Sequence, residues 1–283
     1  MHEHALGEQH LAGAMALSRA ASWNQCEADW RMMLRLGEGW GLTAADGTLV
    51  ASIIVLPYGD AFAWMSMVLV SPDHRRQGYA SRMLRRALAH LQSRGLAAVL
   101  DATPAGHEVY LQEGLRDTWG FQRYSLTESR LASGLPDAPG MQLRGLAEGD
   151  WPQILALDLP AFGASREGLL RSLCARLPEA ALVAERGGKI CAYLLGREGR
   201  EARQLGPLVA EDETVAQALL AHALSLVSAP LYVDIVDRHA ELRGWGMKQG
   251  FEVQRPFTRM VCGAERAPGD NRTVMLAAGP ELG

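Results

Sequence analysis

Residues 67–88 read MVLVSPDHRRQGYASRMLRRAL, and the pattern changes twice within them. Met67 to Val70 close an apolar run that begins at Phe62, as a buried strand would. From Ser81 onward Met83, Leu84, Ala87, Leu88 and Leu91 recur at the spacing of one helical face, while Arg82, Arg85 and Arg86 fall elsewhere around the cylinder. Between strand and helix lies Arg75-Arg76-Gln77-Gly78-Tyr79-Ala80, which fits the pattern Gln/Arg-x-x-Gly-x-Gly/Ala. A diphosphate at this point would meet a ring of backbone N–H donors at the positive end of the helix dipole. Gly78 and Ala80 lack bulk, so the chain can approach phosphate oxygens closely. Arg75 and Arg76 add charge that amides alone do not supply.

Working outward, Trp40 to Ala45 and Leu49 to Tyr58 are apolar segments joined by Asp46-Gly47, a hairpin signal because this dipeptide tolerates the positive φ of a tight turn. Gly59-Asp60 turns the chain again into Phe62–Val70. Downstream, Gly95 ends the helix and Leu96 to Leu100 is a short continuous apolar run, expected of a strand buried on both faces. A helix over His107 to Glu113 and a strand over Trp119 to Leu126 follow. Strand, helix and strand form a crossover inside a mostly antiparallel sheet.

Ser133 to Gly140 is rich in turn residues and without period. We place a linker at 133–140 between a domain at 1–132 and another at 141–283. The second part repeats the order of elements, and Asp73, Leu84 and Asp101 align with Asp212, Leu220 and Asp234. The chain reads as a tandem duplication of one α/β domain with a mixed sheet. A length of 283 residues suits two domains of roughly 100 to 200 residues each.

Composition narrows the partners. With 48% hydrophobic and 21% charged residues, a formal net charge of -4 and a pI of 6.1, the chain has no basic excess for nucleic acid. No apolar run approaches the roughly 20 residues of a membrane span, and Met1 to His10 lack the form of a signal peptide, so a cytoplasmic protein is expected. Cys26, Cys174, Cys191 and Cys262 are widely spaced and expected to be reduced and mostly buried. His2, His4 and His10 have no cluster of further ligands at metal spacing, so no metal is expected and the N-terminus reads as a mobile polar segment.

The segment Met67 to Leu88, in its order of elements from Leu11 to Leu126, resembles the GNAT superfamily of acyl-CoA-dependent N-acetyltransferases. The resemblance implies acetyl-CoA as co-substrate, its pantetheine held by Val68, Leu69 and Val70 and its pyrophosphate by Arg75, Arg76, Gln77, Gly78, Tyr79, Ala80 and Ser81. It also implies that Tyr110, four residues before Gly114-Leu115, donates a proton to the departing CoA thiolate, a job a phenol of pKa about 10 can do. Thr103-Pro104-Ala105-Gly106 departs from the asparagine that many relatives carry there.

An amine of pKa near 10.4 must lose a proton before it attacks a thioester. Asp101 is our choice of base, because an acid at a strand's carboxyl end faces the cleft of an open sheet. Its match to Asp234 speaks for structure instead. His107, Glu108, Glu27, Asp29 and a water chain stay open as alternatives.

In the second half the cradle is replaced by Ala210 to Ala218, which has no glycine and carries Glu211, Asp212 and Glu213; carboxylates there would repel a diphosphate. Gly246 stands where Tyr110 does in the first half. We read this half as a degenerate domain that supports the acceptor site, with Asp158, Phe162 and Arg166 as acceptor-contact candidates. Thr273 to Leu276 is strand-like and expected to be ordered. The expected activity is acetyl transfer to a small-molecule amine by a monomer or homodimer. A non-catalytic acyl-CoA sensor is the alternative, and protein acetylation a third reading.

Overall fold

A computed structural model describes residues 1–128 and 140–283 of the chain. The expected linker, apart from Gly140, lies outside the described residues. The first half contains β1 (His2–Ala5), α1 (Leu11–Ala20), α2 (Glu27–Leu36), β2 (Glu38–Thr43), β3 (Leu49–Tyr58), β4 (Phe62–Val70), α3 (Tyr79–Ser93), β5 (Ala97–Ala102), α4 (Pro104–Gln112) and β6 (Arg116–Leu126). The second contains β7 (Met141–Gly145), α5 (Trp151–Phe162), α6 (Glu167–Arg176), β8 (Leu182–Arg186), β9 (Lys189–Arg197), β10 (Arg203–Ala210), α7 (Glu213–Leu226), β11 (Leu231–Val236), α8 (Ala240–Lys248), β12 (Glu252–Cys262) and β13 (Val274–Leu276). This is the mixed α/β architecture the pattern implied.

The chain forms two compact units: Met1–Trp119 with Thr258–Ala267 and Pro280–Leu282, and Gly120–Phe257 with Pro268–Gly279 and Gly283. They are not consecutive stretches, because β6 and β12 are each divided. In unit 1, β1 to β5 lie in sequence order and Thr258–Cys262 of β12 add antiparallel beside β5, Arg259 opposite Asp101. In unit 2, β6 adds antiparallel beside β11, Arg123 opposite Asp234. Each half's sheet is therefore extended by a strand of the other half, β12 beside β5 and β6 beside β11. Local periodicity reports strands and not their partners, so the 1–132 and 141–283 division missed this exchange.

In unit 1 the apolar face of α3, with Met83, Leu84, Ala87 and Leu91, packs on Ile53, Val55, Ala63, Met65 and Leu100. Burying each such side chain contributes roughly 1.5–3 kcal/mol, which is what seats the helix on the sheet. The opposite face is covered by α1 and α2, where Ser66 Oγ lies 3.7 Å from Met33 Sδ. The unit 2 core is built alike, with Val215, Leu219, Ala223 and Leu224 of α7 packed on β8 to β11.

Three expectations need correction. Residues 2–5 form β1, pairing antiparallel with β2, because His4 and Glu3 find partners in Thr43 and Arg82. None of the four cysteines is in a disulfide, but of them Cys191 alone is buried. Tyr79 already belongs to α3, since left-handed Gly78 (φ 77°) is its N-cap. Among the described residues no helix is long and apolar enough to cross a membrane.

Candidate active site in unit 1

The site begins as an irregularity of β4. Across the β3–β4 ladder Ser52 faces Leu69 and Ile54 faces Ser66, so β4 carries one extra residue. Met67 takes it up at φ 53°, its carbonyl held by Ser52 Oγ at 2.8 Å. Such a bulge bends the strand that carries it. On its other edge β4 pairs in parallel with β5 at Phe62, Ala63 and Trp64 only. Among the described residues that edge has no strand partner from Met65 to Val70, which leaves main-chain groups around Val68, Leu69 and Val70 for a ligand.

The chain then turns through Pro72–His74, braced by Ser71 Oγ and His74 Nδ1 at 2.7 Å. Arg76 (φ 59°) and Gly78 (φ 77°) are left-handed. A Cβ on Gly78 would meet nothing within 4 Å, so the glycine serves the backbone bend and leaves space above the helix end. Within the described residues, no backbone or side-chain group accepts from the amides of Gln77, Gly78, Tyr79, Ala80 and Ser81. Arg82, Arg85 and Arg94 pair with Glu3, Glu113 and Glu38 at 2.7–2.9 Å. Arg75 and Arg76 have no carboxylate partner among the described residues, and Arg75 Nε reaches only Val70 O at 3.5 Å. Open amides and two uncompensated cations fit a diphosphate.

Tyr110 lies on α4, its residue 8% exposed, against the core side of β5. Its hydroxyl has no hydrogen-bond partner among the described residues, and burial pushes the phenol up to about 12. A Cβ on Gly106 would stand 2.8 Å from the ring and 2.9 Å from the hydroxyl oxygen. Helical side chains lean toward the preceding turn. Glycine at 106 is thus the space in which Tyr110 lies, which gives the Thr103–Gly106 stretch a physical reason.

The candidate bases are dispersed. Both oxygens of Asp101 bind Arg259, through Nε at 2.9 Å and Nη2 at 3.0 Å. Asp29 caps α2 by accepting from Cys26 N at 2.8 Å, and Glu27 is paired with Arg31. His107 Nε2 lies 2.8 Å from Asp117, and Glu108 is exposed on α4. Asp234 in unit 2 repeats the Asp101 arrangement, bound by Arg123 at 2.8 and 2.7 Å. Arg259 was missed on the sequence, although Phe121-Gln-Arg123 and Phe257-Thr-Arg259 repeat in the two closing strands.

Unit 2 lacks the open edge. β10 and β11 pair in parallel at Arg203, Gln204 and Leu205, and beyond these β13 runs between them, antiparallel to both. Leu276 stands opposite Leu208 and Ile235 alike. Buried His239 donates from Nε2 to Val274 O at 2.9 Å and anchors the insert. Asp212 caps α7 through Val215 N at 2.8 Å and Glu213 accepts from Leu242 N at 2.6 Å, so these carboxylates have structural partners. Gly246 is buried in α8. Asp158, Phe162 and Arg166 come together, but as a buried lock: Arg166 binds Asp158 at 2.8 Å, lies 3.9 Å over the Phe162 ring and donates to Gly283 O at 2.7 Å, while Tyr193 donates to Asp158.

In unit 1 a bulged strand thus parts from its parallel neighbour above an open helix N-terminus. Residues 9–113 match the "Acetyltransferase (GNAT) family" and residues 154–276 an "Acetyltransferase (GNAT) domain". The chain belongs to the GNAT superfamily, in a tandem arrangement. It is 24% identical over 247 residues to the uncharacterized N-acetyltransferase YitH of Bacillus subtilis, covering 87% of this chain and 86% of that one. It is 28% identical over 250 residues to the holothin acyltransferase of a Pseudoalteromonas species, covering 87% and 82%. A putative acetyltransferase from Pyrococcus horikoshii superposes with a TM-score of 0.80 at 17% identity, covering 100% of this chain and 95% of its own. A tandem GNAT protein from the clavulanic acid pathway gives 0.65 at 16%, covering 95% and 100%.

Proposed function

We propose that unit 1 transfers the acetyl group of acetyl-CoA to the amine of a small molecule. The observation that carries this reading is the parting of β4 from β5 next to a buried tyrosine whose hydroxyl has no partner among the described residues. Val68, Leu69 and Val70 would pair with the pantetheine, and Arg75 to Ser81 would receive the pyrophosphate. The amine nitrogen bonds to the thioester carbon, the carbon–sulfur bond breaks, and the sulfur takes the Tyr110 proton. A phenol pushed up to about 12 stays protonated, and so able to donate, at every working pH. The relative named a holothin acyltransferase supports acyl transfer as the reaction type.

Asp101 is proposed for a new role. A carboxylate already held by a guanidinium is a poor proton acceptor, so it positions Arg259 and the amine sheds its proton to water or to an exposed group. Likewise Asp158, Phe162 and Arg166 stiffen unit 2 instead of touching the acceptor.

Thiol release from acetyl-CoA across a panel of amines tests the activity. Tyr110→Phe should lower kcat by about 10²–10³ with CoA affinity kept. In the wild type kcat should show no alkaline fall below pH 10. CoA binding without thiol release from any amine would make the protein a sensor, and unchanged turnover in the variant would remove Tyr110 from the mechanism.

A further inference from the structure

The last β4–β5 pair is Trp64 with Val99. Ala63 and Met65 pack with α3, so Trp64 points to the face that α1 and α2 cover, and Asp101, between the core residues Leu100 and Ala102, points there too. Arg259 reaches across this face below the parting strands. Its guanidinium carbon lies 4.4 Å from the Trp64 ring centroid and 4.1 Å from that of Trp119. Asp101 takes Nε and Nη2, whereas Nη1 donates to no described residue although the side chain is only 4% exposed. Unlike the enclosed polar atoms, Nη1 keeps some access to solvent, so a ligand atom that accepts there gains a charge-assisted hydrogen bond.

We infer that Arg259 Nη1 holds the acceptor molecule by a neutral carbonyl oxygen, so the amines acetylated here are those that also carry an amide-type carbonyl. This rests on the acyl transfer proposed for unit 1. Charge selects the class. Asp101 already balances Arg259, and a carboxylate brought alongside would be a second anion facing one cation, desolvated without net positive charge in return. A carbonyl oxygen accepts the same hydrogen bonds and avoids that cost. Half-buried Trp119, stacked on the guanidinium, extends a flat surface suited to a planar amide. The position also suits the reaction, because Tyr110 packs on the α3 side of β5 and Arg259 on the other, so nucleophile and leaving group would lie on opposite sides of the gap. In unit 2 the matching pair is closed in: Gln204 Nε2 donates to Asp234 at 3.1 Å and β13 fills the space between the strands.

The test uses the full chain, acetyl-CoA and three amines of one skeleton: with an amide carbonyl, with that carbonyl reduced to methylene, and with a carboxylate in its place. The amide should exceed both others in kcat/KM at least tenfold. In Arg259→Lys, which keeps the charge opposite Asp101 but loses the planar fork, the preference should shrink to within twofold while calorimetric CoA affinity is retained. Equal kcat/KM for the three amines, or an undiminished preference in the variant, overturns the assignment. If the lysine variant does not fold, the double variant Asp101→Asn/Arg259→Gln, with no uncompensated buried charge, is read the same way. If no amine releases thiol, acyl transfer falls first, and Arg259 is then judged by tryptophan fluorescence. Saturable quenching by the amide amine that the variant loses supports it, and no quenching overturns it as well.

Discussion

β4 and β5 part after three paired residues and leave an edge without a strand; β10 and β11 part after three as well, and β13 runs down the middle. The same split has been resolved in two ways. Main-chain N–H and C=O groups facing a gap need partners, and either a ligand or the protein's own chain supplies them. In unit 2 the backbone of Leu276 takes the place that the proposal gives pantetheine in unit 1. The repulsion expected from Glu211, Asp212 and Glu213 is thus secondary: the slot is already filled.

The largest difference expected between the two units is in the number of ligands they bind. Calorimetry with acetyl-CoA should find one site per chain; two sites of similar affinity would mean that β13 leaves its place. Next in size is the buried pair the units share. Asp234→Ala takes both carboxylate oxygens from buried Arg123 and should cost about 3–5 kcal/mol in denaturant unfolding, whereas Asp234→Leu/Arg123→Met should restore most of it. If the single variant costs under 1 kcal/mol, the pair does not tie β6 to unit 2.

A smaller effect sharpens the unit 1 side. Gly106→Ala crowds the Tyr110 ring and should cost about 1–3 kcal/mol while lowering kcat more than CoA affinity. Stability lost without a change in kcat would show that the ring's position is unimportant. The mildest test is pH. Burial lowers His239 below its usual 6.5, with Arg238 opposing and Glu213 favouring its charge. The neutral form is the folded one, so stability is full above pH 6.5 and declines as the unfolded chain takes up a proton below it. His239→Gln should flatten this slope; an unchanged slope assigns it to another group.

The sequence was most legible where structure is local. Leu49–Tyr58 and Phe62–Val70 are strands to the residue, and the face of α3 is the one its spacing indicated. Gly78, Arg75 and Arg76 stand together at the helix end because they are neighbours in the chain. What depends on distant partners could not be read that way. Asp101 looked like a cleft acid because its strand end was visible and Arg259 was not. Asp158 and Arg166 looked available because Tyr193, which closes their cluster, lies on β9. The Phe-x-Arg repeat was the one local trace of the exchange of β6 and β12, and its meaning depends on knowing which strand each meets.

That exchange sets an order of events during synthesis. Asp101 leaves the ribosome 158 residues before Arg259, the cation that neutralises it. At about 5–20 residues per second the nascent first half waits roughly 8–30 s with its sheet edge beside β5 open and Asp101 still lacking its Arg259 ion pair. Half-length translation products would keep that edge and so be natural substrates for chaperones and proteases. A gene cut between the halves would yield two fragments that must find each other before either sheet is complete.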